Sequence, residues 1–435
     1  MADMQGALGV DFGTTNTVLA AAGPDGPTVL PFDTGEGPLT AFRSVLCFWQ
    51  AMIEGRAERR VETGPWALDR YVADPHDCRF LQSFKSFAAS RSFTDTMVYG
   101  RRLTFEALLA TFLESLAGHY GGRIPTGARV VVGRPVTFVG GAPDEALALA
   151  RYEAGFQAAG FDEIHFVYEP VAAAYFFAER LAADATVLVA DFGGGTSDFS
   201  VLRFERRGGR LHAAPLGAAG VGIAGDSFDS RIVEHLVGPR IGRGSAYRSF
   251  GKVLPLPVHY FADFAQWHTL SLLKSPATLR ELRELARTAT DPEALERFLT
   301  LIEEDLGYAL YRAVARTKLA LSDADRATFD FAAEGIAIRA EVRRADFEAW
   351  IAGDLARIAA AVDAALDRAG TPAAAIDRVF LTGGTSYVPA VRRLFAERFG
   401  TERMESGNEF DSIAAGLALI AREPDLEAWT APRPA

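Results

Sequence analysis

The residues best placed to do chemistry lie in two similar stretches. Residues 186–204 read TVLVADFGGGTSDFSVLRF. The branched apolar run Val187, Leu188 and Val189 predicts a buried strand ending at Asp191, where Gly193, Gly194 and Gly195 reverse the chain and a second strand leaves over 199–204. Three consecutive residues without Cβ let backbone N–H groups converge on one spot, the geometry of an anion nest that suits a phosphate. Thr196 adds a hydroxyl, and Asp191 and Asp198 flank the turn with carboxylates. Carboxylates beside a phosphate repel it unless a cation lies between them, and Mg²⁺ with retained waters is the usual mediator. The stretch therefore reads as a seat for a magnesium nucleotide. Taken alone, it also fits a hairpin that merely turns tightly.

The second stretch, residues 8–20, reads LGVDFGTTNTVLA. Gly13, Thr14, Thr15 and Asn16 offer backbone and hydroxyl donors, and Asp11 would face the metal. Two copies half a chain apart predict an internal duplication, with two lobes each presenting one phosphate-gripping hairpin and a ligand between them. Only four lysines occur, at 85, 252, 274 and 318, against 41 arginines among the 45 basic residues. An ammonium on a flexible stem can reach a terminal phosphate and hold an attacking water, so Lys85 has that reading beside the plainer one of a surface lysine. Glu169, before Pro170, could accept a proton from water or simply complement a helix start.

The elements that must position these groups follow from periodicity. Residues 103–119 carry apolar side chains at helical spacing, 129–138 read as a buried strand running into a Pro turn, and Pro143 opens a helical stretch. Residues 166–168 form a strand before an Ala-rich helix over 171–181. Residues 217–237 pass a Gly-rich turn and enter a helix with Gly225 and Asp226 near its start, suited to a sugar or phosphate contact. Residues 238–310 read as a mostly helical insertion, and 310–322 as a helix carrying Lys318 and Ser322. Residues 378–399 repeat strand, glycine turn and helix, with Gly383 and Gly384 letting a flat group approach and Thr385 and Ser386 able to contact it. A small-residue helix over 406–420 closes the pattern.

Composition bounds the rest. The chain has 435 residues, 49% apolar and 23% charged, with a net charge of −11. This is ordinary globular composition for two or more domains, and the negative balance argues against nucleic acid or an anionic membrane as a partner. Without a basic start and apolar run, or an apolar stretch long enough to span a bilayer, a cytoplasmic protein is expected. Cys47 and Cys78 stand thirty-one residues apart, with no spacing that indicates zinc or a disulfide framework.

Taken together, LGVDFGTTN, FLQSFKSF, VVGRPVTF, FVYEPVAAAY, VLVADFGGGTSDFSV, GDSFDSRIV, TKLALS, EGIAI, LTGGTSYVPAVRRLF and the AAGLAL helix resemble the nucleotide-binding domain of DnaK-type heat-shock-seventy chaperones. They come in that family's order over nearly the whole length, and look most like its stand-alone, YegD-like branch. The resemblance implies an α/β, actin-like ATPase fold: two duplicated RNase H-like lobes with inserted subdomains around a central nucleotide cleft. The first lobe would comprise 1–38, 125–185 and 405–424 with 39–124 inserted, the second 186–230 and 345–404 with 231–344 inserted, and 425–435 would be a tail. It implies Mg²⁺ and ATP or ADP as ligands. Gly13 to Asn16 and Gly193 to Thr196 would hold the phosphates, Lys85 would contact the γ-phosphate and the water, and Asp11 and Asp191 would orient Mg²⁺ through waters. Glu169, Asp198 and Thr196 would complete catalysis, Gly225, Asp226, Lys318, Ser322 and Gly383 to Ser386 would line the nucleoside side, and Pro135 matches the family's switch proline.

Departures from the pattern bear on function. Ala315 and Leu319 stand where the family brackets the purine with a glutamate and an arginine. The segment between Gly225 and Lys318 is long, and about fifteen residues follow the last helix where a peptide-binding domain and lid would come. The expected activity is slow ATP hydrolysis in a chaperone-related protein, with an unidentified protein partner or co-chaperone. A nucleotide-gated binding module with incidental hydrolysis, a small-metabolite kinase and a filament former remain as alternatives.

Overall fold

The computed structural model describes residues 7–35, 37–74, 77–121, 124, 129–140, 142–178, 183–207, 210–266, 269–405 and 411–430. The chain divides into one unit of Met1–Ala224, Arg357–Ser386 and Val391–Ala435, and another of Gly225–Ala356 and Tyr387–Ala390. The fold is mixed α/β with several sheets.

Two sheets organise the first unit. In one, Ala7–Phe12 pairs antiparallel with Asn16–Gly23, which pairs antiparallel with Gly26–Val29. On its other side Ala7–Phe12 runs parallel to Arg129–Arg134, and that strand runs parallel to Ile164–Tyr168. In the second sheet, Ala185–Phe192 pairs antiparallel with Ser197–Arg207, which pairs antiparallel with Arg210–Val221. Ala185–Phe192 is also parallel to Arg378–Thr382, itself parallel to Met404–Glu405. Strand order and direction are the same in both. The first strand of each sheet is buried along almost its entire length, in keeping with its continuous apolar run.

Small residues let helices lie against these sheets. Helix Glu169–Ala178 meets helix Ser412–Ile420 so closely that a Cβ on Gly416 would fall 1.8 Å from the Ala172 carbonyl oxygen. Gly9 in the first strand faces Ala414 and Ala418 in the same way, with 2.4 Å to a would-be Cβ. One apolar cluster then joins Val131 and Val167 of the first sheet, Val171 and Leu417 of these helices, and Val187, Leu202 and Phe380 of the second sheet. Phe177 stacks on Phe380 at 4.2 Å. The expected helix over 171–181 begins at Glu169, so that carboxylate lies in the first helical turn rather than before it. Similarly, the helix expected to open at Pro143 spans Glu145–Ala158, and Asp144 is its cap, accepting from the Leu147 amide at 3.0 Å.

Away from these sheets, Arg56–Thr63, Val45–Ile53 and Cys78–Gln82 form a three-stranded antiparallel sheet. Ser83 follows in a left-handed conformation, φ 50°, and a 3₁₀ turn over Phe84–Phe87 carries Lys85.

The second unit contains helices Gly225–Ile232, Pro276–Thr288, Pro292–Glu303 and Gly307–Asp323 and the hairpin of Arg326–Ala333 with Ile336–Arg343. Ser275 and Asp291 cap two of the helices, each followed by proline at the first helical position. Residues 238–310, expected to be mostly helical, also hold a hairpin of Ala246–Ser249 and Lys252–Pro255. Its turn is Phe250-Gly251, both at positive φ. Phenylalanine there gives no hairpin signal, because Asn or Gly ordinarily takes that conformation. Among the described residues no helix is long and apolar enough to cross a membrane.

Candidate functional site

Both aspartate–glycine stretches form the same turn. The Gly13 amide donates to the Asn16 carbonyl at 3.0 Å, and the Gly193 amide donates to the Thr196 carbonyl at 2.9 Å. The strand registers match as well: Phe12 faces Thr17 and Asp11 faces Val18 in one, while Phe192 faces Ser197 and Asp191 faces Asp198 in the other. None of Gly13, Gly193 and Gly195 is left-handed. At Gly13 the need is room, since a Cβ there would lie 2.3 Å from the Asn16 carbonyl oxygen. The two turns approach each other, with the Thr14 hydroxyl 3.9 Å from a would-be Cβ of Gly195.

Lys85 is buried beside them. Its Nζ donates to Oε1 of Glu169 at 2.8 Å, both side chains being less than a tenth exposed. Glu169 has space because its neighbour is Gly133, where a Cβ would sit 3.0 Å from the Glu169 Cγ. Burial works against the Lys85 ammonium, yet the carboxylates of Glu169 and Asp11 hold its pKa above the usual lysine range. Asp191 Oδ1 accepts from the Thr382 hydroxyl at 2.6 Å. Asp198 Oδ1 accepts from the Thr137 amide at 3.0 Å, while its Oδ2 is buried without a hydrogen-bond partner among the described residues.

Three carboxyls here are pushed upward. Burial and the Glu169 charge raise Asp191 to about 7, against the Thr382 hydroxyl and Lys85. Burial, then Glu169 and Asp191, raise Asp198 to about 8. Burial and Glu169 also lift Asp11 well above the ordinary aspartate value. Buried carboxylates thus outnumber the one lysine, and the surplus of oxygen ligands with an unpaired Oδ2 is the chemistry a hard divalent cation satisfies. Among the described residues no group of three or more His, Cys, Asp or Glu side chains could hold an ion by themselves. A Mg²⁺ that keeps water and phosphate ligands is compatible with that donor set.

A family model described as Hsp70 protein matches residues 146–240 and 304–423. The chaperone protein DnaK of Deinococcus radiodurans is 26% identical over 430 residues, covering 96% of this chain and 59% of that protein. DnaK of Deinococcus proteolyticus is 26% identical over 435 residues with the same coverage. Over these segments the chain is similar to the Hsp70 family. It spans about three-fifths of the length of these curated relatives, 59% in each case.

Of the residues that the Hsp70 resemblance picked out, Gly13 to Asn16, Lys85, Glu169, Asp191, Gly193 to Thr196, Asp198 and Gly383 to Ser386 lie in the first unit, as does Asp11. Gly383 is left-handed at φ 80°, and a Cβ there would fall 2.0 Å from the Phe192 carbonyl oxygen, which places this turn directly beside the second hairpin. The Ser386 hydroxyl donates to the Gly383 carbonyl at 2.6 Å. In the second unit Lys318 Nζ donates to the Gly225 carbonyl at 3.2 Å and pairs with Asp229 at 2.9 Å. Gly225 and Asp226 open their helix, and the Ser322 hydroxyl turns back to the Lys318 carbonyl at 3.3 Å. Ala315 and Leu319 are both exposed.

Sequence reading passed over Thr382, Thr137 and Arg134. Thr382 was findable as the residue before the glycine pair, at the strand end level with Asp191. Thr137 acts through its amide, which no side-chain pattern discloses. Arg134 is fully buried, donates from Nε to the Pro135 carbonyl at 3.1 Å, pairs with Glu145 and lies over the Tyr168 ring at 4.8 Å.

Proposed function

We propose that this Hsp70-like chain binds magnesium ATP between the two aspartate–glycine turns and hydrolyses it slowly, in an actin-like ATPase fold of two RNase H-like lobes. The observation that carries this reading is the pair of matched turns brought against one another, with the Lys85–Glu169 pair and three raised aspartates beside them. The identical strand order of the two sheets supports the duplication.

In this reading the backbone donors of Gly13 to Asn16 and Gly193 to Thr196 take the phosphates. Lys85 spends one Nζ–H on Glu169 and keeps two for a γ-phosphate oxygen and an attacking water. Asp198 Oδ2, unpaired and near neutrality in its titration, can accept that water's proton, and the Thr196 hydroxyl helps to orient the water. Asp11 and Asp191 would hold Mg²⁺ through its waters, and the ion would supply charge neutralisation along the phosphate chain. Catalysis then rests on positioning and charge stabilisation. Because the Thr137 amide holds Asp198, a change at the phosphate is passed to the segment after Pro135. Gly383 to Ser386 would serve the nucleoside side within the first unit. A protein partner or co-chaperone would read the nucleotide state.

Calorimetric titration with ATP, ADP and GTP in Mg²⁺ tests binding, and turnover of Asp191→Ala and Lys85→Ala tests the roles. Binding of the adenine nucleotides with turnover lost in both variants is expected. Absence of nucleotide binding by the intact chain, or wild-type turnover in folded variants, overturns the reading.

A further inference from the structure

Sequence separation hides a pair of thiols. Val45–Ile53 and Cys78–Gln82 run antiparallel with Cys47 opposite Phe80 and Trp49 opposite Cys78. Cys47 and Cys78 are therefore diagonal neighbours on one face of the sheet. Both are thiols, Cys47 buried and Cys78 partly exposed, and the neighbouring Cys78 thiol and then burial push the Cys47 thiol well above its ordinary value. The Arg70 guanidinium offsets part of that rise and Glu62 adds to it, and Arg70 Nε is buried without a hydrogen-bond partner among the described residues.

We propose that Cys47 and Cys78 are a reversible thiol–disulfide pair whose closure acts on the segment carrying Lys85. The oxidant is a low-molecular-weight disulfide such as glutathione disulfide. The Cys78 thiolate, the accessible one, attacks a glutathione sulfur; the glutathione S–S bond breaks, a mixed disulfide forms and one glutathione thiolate leaves. Cys47 loses its proton and attacks the Cys78 sulfur, expelling the second glutathione thiolate. The two protein thiols give up two electrons, and glutathione disulfide is reduced to two thiols. Diagonal strand neighbours stand about 7–8 Å apart, beyond the span a disulfide bridges without backbone movement, so closure must pull the strands together and leaves a bond that is readily reduced. The strand so pulled runs from Cys78 to Gln82, and Lys85 follows after the left-handed Ser83.

The effect on turnover rests on the ATPase reading; the bridge itself does not, and is read separately by mass. The intact chain is equilibrated with glutathione redox buffers, alkylated and weighed. Expected is the joint loss of both alkylatable thiols with no glutathione retained, reversed by reductant, whereas Cys47→Ser and Cys78→Ser stop at a mixed disulfide or stay unmodified. Closure is expected to lower ATP turnover by about tenfold, since small misplacements of a positioning group cost that much or more, and the Cys47→Ser variant is expected to lose this sensitivity. Oxidation of Cys78 alone, or both thiols surviving an oxidising buffer, overturns the pair. A bridge that leaves turnover of an active enzyme unchanged overturns its link to Lys85.

Discussion

Replacing Lys85 by Met separates its structural work from the catalytic role proposed for it. The ion pair with Glu169 is 2.8 Å long and its side chains are 9% and 7% exposed. At that distance and an effective dielectric constant of about 20 the attraction is about 6 kcal/mol before desolvation is charged against it. Removing one partner of such a pair costs about 3–5 kcal/mol, because the other charge stays buried and uncompensated. Here the cost is aggravated by Asp11 and Asp191, which already feel the Glu169 carboxylate. Lys85→Met should therefore shift urea unfolding of the nucleotide-free chain by an amount in that range.

The double variant Lys85→Met/Glu169→Gln removes both charges at nearly constant volume and should recover most of the lost stability. Single-turnover ATP hydrolysis should respond differently. Loss of a preorganised donor to developing charge costs about 10²- to 10³-fold, and the double variant should remain as slow as the single one. Recovery of hydrolysis together with stability would refute the assignment of Lys85 to the γ-phosphate and leave it a purely structural cation.

Three further outcomes follow from the same geometry. Asp191 and Asp198 titrate near 7 and 8 in the folded chain and near 4 when unfolded, so their ionisation penalises the folded state. That penalty is absent below about pH 4 and complete only above about pH 9; thermal melting without Mg²⁺ should show stability falling by about 3–4 kcal/mol from pH 6 to pH 8, and a flat profile would mean the carboxyls are not buried together. Thr382→Val removes the hydroxyl that Asp191 accepts from, and should cost about 1–3 kcal/mol while raising the Mg²⁺ needed for half-maximal nucleotide binding; unchanged titrations would dismiss that contact. Gly416→Ala drives a methyl to 1.8 Å from the Ala172 carbonyl, so the helices must separate at a cost of about 1–3 kcal/mol or more, and an unaltered melting temperature would show that they do not touch there.

What the sequence disclosed, and what it withheld, follows from the range of each interaction. The aspartate–glycine turns were legible because they are local, their chemistry set by consecutive residues. The Lys85–Glu169 contact was not legible from the residues themselves, since eighty-four positions separate the partners and each alone has an ordinary reading, a surface lysine and a helix-start carboxylate; the family resemblance alone put both at the site. The Cys47–Cys78 contact depends on strand register across a loop, and spacing alone gave no hint of it. Thr137 contributes a backbone amide to Asp198, so any residue but proline could stand there and no side chain advertises the role. The Phe250-Gly251 turn ran against composition, because a left-handed phenylalanine is a poor hairpin former.

The proposed duplication also says where specificity would come from. With the two turns overlaid, Asp11 falls on Asp191 and Gly13 on Gly193, but Val18 falls on Asp198. Beyond Val132, the position beside Asp11 is Gly133, whereas Asp191 has Thr382. Two equal anion turns would grip a phosphate chain symmetrically and give no direction to an attack. Divergence supplies it. On one side Gly133 leaves room for Glu169 and so brings in Lys85; on the other Thr382 steadies Asp191, and Asp198 adds a buried carboxylate with one oxygen unpaired. On the proposed reading grip would be common to both copies, and the reactive groups would be those that only one copy carries. Exchanging the unmatched pair, Val18→Asp with Asp198→Val, should preserve nucleotide binding measured by calorimetry and abolish hydrolysis; turnover surviving that exchange would show that position along the duplicated strands does not decide which phosphate is attacked.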